Sequence, residues 1–203
     1  MNLIFDIGNV LVDYKPEIYC RALFPEEGLA EKIDNIIFKS PEWLDMDCGL
    51  FSHVEATEIF CGREPEFQVE IRRTFRHYCE QFAPGMDFCN TFSPMSDTIE
   101  LLPKVKSAGH GLYFLSNMHF ETCDCLLENY DFFNLFDGGI FSCDVNVIKP
   151  SPDIYRTFLA KYKLNPEDCV FFDDMQENVS AAEKEGIKSV LFTTAECVLD
   201  YLS

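Results

Sequence analysis

Acidic residues close two of the apolar runs in this chain. Residues 2–6 (NLIFD) end in Asp6, and residues 168–174 (DCVFFDD) end in the adjacent pair Asp173 and Asp174. A carboxylate at the mouth of a buried strand can attack phosphorus or carbon as a nucleophile, dividing one difficult step into two. Alone, such an acid could equally be a solvated loop residue, but Asp6 has company. Adjacent carboxylates raise each other's pKa unless a cation lies among them. With Asp6 the pair makes a hard oxygen site suited to Mg²⁺, which takes few protein carboxylates and keeps waters and substrate phosphate. Asp is also favoured at a helix N-cap by hydrogen bonding and the helix dipole, and the two roles can coexist.

Two further polar positions follow the same logic. Residues 111–117 (GLYFLSN) end in Ser116 and Asn117, which can offer a hydroxyl, an amide and backbone N–H groups to phosphate oxygens, or simply cap a helix. Lys149 precedes Pro150, which keeps it out of helical geometry, so its ammonium can reach a shared site as a point charge.

The elements that would position these residues can be read from periodicity. Residues 2–6, 111–117, 168–174 and 187–194 are apolar on both faces and turn polar at their C-terminal ends, the pattern of buried parallel strands. Helical spacing covers 96–108, 152–163 and 177–185, the first and last stopping at Gly109 and Gly186. Pro103 should kink the first of these. Strands alternating with helices give an α/β fold, a doubly wound parallel sheet whose ligands bind beyond the strands' carboxyl ends.

Residues 15–88 interrupt the alternation. They read as wholly helical, with Phe67, Ile71, Phe75, Tyr78 and Phe82 on one stripe and a Ser52–Glu55 capping box opening a helix to about Cys61. We expect a helical cap at 15–88 over a core of 1–14 and 89–203. The return through Pro84, Gly85 and Pro94 reads as a hinge.

Bulk properties narrow the partners. A formal net charge of −19 over 203 residues argues against nucleic acid and anionic membrane, and sets a local problem for binding phosphate. Mg²⁺ and Lys149 would supply the reversal of sign. The ten cysteines show no CxxC pair and no zinc spacing, and Cys123 and Cys125 should point apart on a helix. No secretory signal or membrane-spanning run is seen, so reduced thiols in a cytoplasmic protein are expected.

The order Asp6, Ser116, Lys149, Asp173/Asp174 resembles the four motifs of the haloacid dehalogenase-like hydrolase superfamily. The strings FDIGNVLVD, LYFLSN, IKPSPDIY and VFFDDMQENVSAAEKEGI are similar to its sugar-phosphatase branch, the alpha-D-glucose-1-phosphate phosphatase type. The resemblance implies a Mg²⁺-dependent phosphatase acting on a small phosphorylated metabolite, with a sugar phosphate as the expected substrate. It implies Asp6 as nucleophile and metal ligand, Ser116 and Asn117 on the phosphoryl group, and Lys149 orienting and neutralising it. Asp174 would be the second carboxylate ligand, Asp173 its partner, and the Gly8 carbonyl the remaining protein ligand.

One position departs from the family pattern. Gly8 stands where most phosphatases of this superfamily carry a general acid, worth about 10²–10⁴-fold. Substrates whose leaving group needs little protonation, such as sugar 1-phosphates or acyl phosphates, should suffer least. Asp13 lies too far along, and His53 or a cap acid could stand in. His119 could reach substrate but reads better as a surface helix position. Trp43, Asp45, Asp47 and Phe51, near a loop tip at Gly49, could select substrate or simply pack the cap. Two other functions compete: a metal-independent 2-haloacid dehalogenase, and a weakened phosphate-binding or regulatory protein.

Overall fold

A computed structural model describes residues 1–80 and 92–202. Five short strands, β1 (Asn2–Phe5), β2 (Gly111–Ser116), β3 (Gly138–Phe141), β4 (Cys169–Asp173) and β5 (Lys188–Leu191), form one sheet in the order β3-β2-β1-β4-β5. Every pairing is parallel. The chain builds outward from β1 through β2 to β3, then crosses to β4 and β5 on the other side. The order therefore reverses between β1 and β4, where such sheets leave a crevice at their carboxyl ends.

Alternation along the strands explains both covered faces. Leu3 and Phe5 of β1 enter one apolar cluster, and Ile4 enters the other with Leu115, Ile140, Tyr155 and Phe171. The second face is covered by α10 (Pro152–Tyr162) and α11 (Gln176–Lys184). The expected helices there are found, and Gly186 ends the last of them at φ +82, a backbone region that costs glycine nothing.

Three sequence expectations change. β3 escaped notice because it is four residues long and opens on two glycines. Their reason is spatial: the Tyr162 and Phe114 rings lie where side chains at Gly138 and Gly139 would go. β5 is an edge strand and only partly buried, since β4 covers one side alone. Pro103 does not kink one helix. Instead α6 (Ser96–Ile99) stops and α7 (Leu102–Ser107) begins, with the proline in its first turn, where its missing N–H goes unneeded.

Between β1 and α6 the described chain is helical: α1 (Pro16–Leu23), α2 (Leu29–Ile37), α3 (Pro41–Asp47), α4 (His53–Arg63) and α5 (Gln68–Glu80). The Ser52–Glu55 capping box is present at the start of α4. Phe67 lies in a 3₁₀ turn before α5, while Ile71, Phe75 and Tyr78 line its buried face. Phe82, Pro84 and Gly85, and with them most of the expected hinge, lie outside the described residues. The chain re-enters beside the β1 loop, with Asp13 N–H donating to the Ser93 carbonyl (2.8 Å) and Met95 N–H to that of Leu11 (2.8 Å).

Within the core, α8 (Phe120–Asn129), α9 (Ser142–Val145) and α12 (Glu196–Leu199) complete the elements. Cys123 of α8 is buried and Cys125 half-buried. The close partner of Cys123 is Cys143, Sγ to Sγ 3.8 Å. Eight cysteines among the described residues are free thiols. No helix among the described residues is long and apolar enough to cross a membrane.

Candidate active site

Strand pairing brings the separated acids together. Phe5 and Phe172 are register partners whose rings stack at 5.1 Å, and the Asp6 N–H donates to the Phe172 carbonyl at 2.9 Å. Asp6 therefore leaves the sheet beside Asp173. Asp6, Asp173 and Asp174 each place a carboxylate oxygen within 4.8 Å of the others.

Lys149 arrives from the loop ahead of α10. Its Nζ lies 2.9 Å from Asp6 Oδ1 and 2.6 Å from Asp173 Oδ2, and the residue is 3% exposed. Asn117 fixes this loop from β2. Its Nδ2 donates to the Lys149 carbonyl (2.9 Å), and the Lys149 N–H donates to its Oδ1 (2.7 Å). The Asn117 side chain thus serves Lys149 directly.

The two adjacent acids have different surroundings. Asp173 is fully buried, and its oxygens accept from Lys149, from Asn178 Nδ2 (2.9 and 3.1 Å) and from the Met175 N–H (2.8 Å). Asp174 reaches the cavity, with Oδ2 accepting from Asn9 Nδ2 at 3.0 Å. Asn9, at φ +55, also takes the Tyr14 N–H on its Oδ1. Asn9 was not anticipated. An Asn three residues after the first acid, following Gly8, is the only signal the sequence carries for it.

Electrostatics here are those of crowded anions. Burial pushes the Asp6 carboxyl up to about 7, and Asp173 and Asp174 add to the push against the opposing pull of Lys149. Burial also raises the Asp174 carboxyl. For Lys149 burial works the other way, yet the charges of Asp6 and Asp173 outweigh it and hold the ammonium above the usual lysine range. The cluster consists of carboxylate oxygens, the donor chemistry of a hard cation. One ammonium cannot neutralise three carboxylates, and a divalent ion would supply the charge that is missing. The residues present fit Mg²⁺.

In front lies a cavity of about 260 Å³. Asp6, Gly8, Ser116, Asn117, Lys149 and Asp174 line its floor, whereas Asp173 lies sealed beneath. Gly8 has an ordinary backbone, and a Cβ there would meet only the Tyr14 Cβ at 3.7 Å. No carboxylate acts from this position.

The opposite wall comes largely from the inserted helices: Phe38, Trp43, Leu44, Asp47 and Tyr78, with Tyr14 before them. His119 corrects its surface reading. It is 2% exposed, with Nδ1 2.9 Å from Asp47 Oδ1 and Nε2 2.7 Å from Thr122 Oγ1, because α3 lies across it. Asp45 is exposed, and neither it nor Phe51 lines the cavity. Gly49 is no free loop tip. At φ +75 it packs on the core, where a Cβ would meet the Cys143 carbonyl oxygen at 2.7 Å. His53 is buried against His119, ring centres 4.6 Å apart, and burial pushes it down to about 3. It is neutral at neutral pH and lies off this cavity, beside a separate recess. Asp13 is paired with Lys15 instead.

Known proteins resemble this chain in sequence and in fold. A drimenol cyclase of Aspergillus calidoustus is 31% identical over 190 residues, which is 94% of this chain and 33% of the relative. The chain thus spans a third of that protein. A sesquiterpene phosphatase of Aspergillus oryzae is 24% identical over 94% of this chain and 88% of its own length. A HAD family enzyme of Bacteroides thetaiotaomicron has the same fold, with a TM-score of 0.71 at 17% identity over 95% of this chain and 93% of that one. The haloacid dehalogenase-like hydrolase model matches residues 1–186, and the chain belongs to that family.

Proposed function

We propose that the chain is a Mg²⁺-dependent phosphatase that hydrolyses small phosphate monoesters through an aspartyl-phosphate on Asp6. One observation carries this reading. A carboxylate faces the cavity with an ammonium on one side and a second, cavity-facing acid on the other. Asp6, Asp174 and the Gly8 carbonyl would hold Mg²⁺, which when bound neutralises charge on the phosphoryl oxygens. Asp6 attacks phosphorus, the ester P–O bond breaks, and the leaving group departs as an alkoxide that takes its proton from solvent water. Water then attacks phosphorus in the aspartyl-phosphate, freeing phosphate and Asp6. Lys149 favours the ionised nucleophile and meets a phosphoryl oxygen. Asp173 anchors that ammonium from below, Asn117 fixes its loop, and Ser116 offers its hydroxyl to the phosphoryl group.

Residues 1–14 and 89–203 act as the catalytic core in this reading, and 15–88 as a cap whose inner side forms the substrate wall. The lack of an acid at position 8 favours esters with good leaving groups. The sugar phosphate expected from sequence is favoured by a phosphorylated carbohydrates phosphatase of Thermotoga maritima, 34% identical over 64 residues, whereas the sesquiterpene phosphatase, aligned over 94% of this chain, favours an apolar alcohol. The free thiols support a cytoplasmic location.

Dehalogenation is a second reading, favoured by 29% identity to an (S)-2-haloacid dehalogenase of Burkholderia cepacia over 48% of this chain. It leaves the cavity-facing Asp174 without a task. Turnover of p-nitrophenyl phosphate decides between the readings. It should require Mg²⁺, stop with EDTA, and fall at least about 10³-fold in Asp6→Asn. Chloride release from 2-chloropropionate that survives EDTA would support the dehalogenase. Phosphate binding without any turnover would leave a binding protein.

A further inference from the structure

The wall opposite the phosphate site has a chemistry of its own. Phe38, Trp43, Leu44, Tyr78, Phe92 and Met175 present rings and aliphatic surface to the cavity. The rings form one packed set, with Trp43 5.5 Å from Tyr78 and 4.6 Å from Phe38, and Tyr78 5.8 Å from Phe92. Leu44 and Met175 are 49% and 52% exposed, so apolar surface also marks the cavity's mouth.

The polar groups on this side are turned toward one another. Asp47 Oδ1, His119 and Thr122 are joined in line by two hydrogen bonds, and the Asp47 carbonyl accepts from Ser142 Oγ at 2.5 Å. Lys149 is the one Lys or Arg among the described residues lining the cavity, and it is engaged by Asp6 and Asp173. No Arg, Glu or Gln joins it there among the described residues. A polyhydroxylated group would thus set most of its hydroxyls against rings, and each one left unpaired weakens binding about tenfold or more. A second anionic group would meet Asp47 with no cation to receive it.

Building on the phosphatase reading, we infer that this site selects phosphate monoesters of an uncharged, hydrocarbon-like alcohol over those of a sugar. The phosphate is held at the strand ends, and the alcohol lies against the aromatic wall. Its burial removes apolar surface of both partners from water, which is the source of selection. The cavity is at the small end for ligand sites, which fits one ring or a short branched chain.

The test uses two esters of matched shape. Cyclohexylmethyl phosphate and glucose 6-phosphate each carry a primary phosphate on a six-membered ring, and they differ in the ring hydroxyls and ring oxygen. With the Mg²⁺-loaded enzyme, kcat/KM for cyclohexylmethyl phosphate should exceed that for glucose 6-phosphate by about 10²-fold. Equal values, or a preference for the sugar, overturn the inference and leave the phosphatase reading intact. p-Nitrophenyl phosphate reports the chemistry separately. If it is not hydrolysed, the enzymatic reading fails, and calorimetric binding of the two esters to Mg²⁺-loaded Asp6→Asn still decides the ranking. Leu44→Gln and Met175→Gln lie at exposed positions and should keep the wild-type melting temperature. Each should shrink the preference by about tenfold. A preference unmoved by both substitutions would also overturn the assignment.

Discussion

Replacing Lys149 with Met removes the ammonium that joins Asp6 to Asp173 while keeping the length of the side chain. Both carboxylates are buried and within 2.9 Å of Nζ. Breaking a buried pair from one side costs about 3–5 kcal/mol, because the surviving charge has no partner. The protein can escape part of this by protonating Asp6, whose folded pKa of about 7 already lies above the ordinary 3.8. Losing Lys149 takes away the influence that lowers it, so the variant's Asp6 pKa moves higher still.

The sign follows from proton counting. A raised carboxyl contributes stability that is complete below its unfolded pKa and is lost as pH rises through its folded pKa. Near pH 6 Asp6 is largely protonated in both proteins, and the variant suffers chiefly through Asp173. Above about 7 the wild type sheds its proton while the variant keeps it, so the stability gap widens by up to about 1.4 kcal/mol per pH unit. Urea denaturation in EDTA at pH 6 and pH 8.5 should show the variant destabilised at both, and by about 2 kcal/mol more at the higher pH. A gap independent of pH, or none at pH 8.5, would refute the idea that this ammonium compensates Asp6.

Other substitutions probe separate parts of the structure. Gly8→Asp meets no backbone obstacle and places an acid beside Asp6, the nucleophile of the proposed mechanism. It should raise kcat/KM for glycerol phosphate by roughly 10²-fold or more, with little change for p-nitrophenyl phosphate, whose leaving group needs no proton. Gly49→Ala forces a Cβ onto the Cys143 carbonyl at positive φ, and thermal melting should show a loss of about 1–3 kcal/mol. His53, lowered by burial to about 3, contributes stability that is complete above its unfolded pKa near 6.5 and fades as pH falls toward 3. His53→Phe should therefore flatten acid denaturation across that window, by up to about 1.4 kcal/mol per pH unit, in urea melts at pH 4.5 and 7.

Legibility from sequence followed the distance over which each signal acts. β1, β2 and β4 declare themselves because burial on both faces leaves no polar alternation, and their last residues turn polar where the sheet ends. β3 does not, since its glycines answer to the rings of Phe114 and Tyr162, which are remote in sequence. Of the floor, Asp6, Ser116, Lys149 and the acid pair could be named from local motifs. The division of labour between Asp173 and Asp174 depends on Asn178 and Asn9, and only the folded chain shows it. His119 misled because polarity in a first helical turn ordinarily signals solvent, whereas here Asp47 covers it. The aromatic wall was glimpsed through Trp43 alone. Its other members come from segments up to 78 positions apart (Tyr14 to Phe92), each unremarkable where it stands.

The stacked rings of Phe5 and Phe172 sit one position short of the reactive acids, on neighbouring central strands. A slip of one residue between those strands would turn Asp6 to the opposite side of the sheet. These two phenylalanines are thus a ruler for the chemistry although neither lines the cavity. Weakening them would loosen the core and the alignment of the acids together.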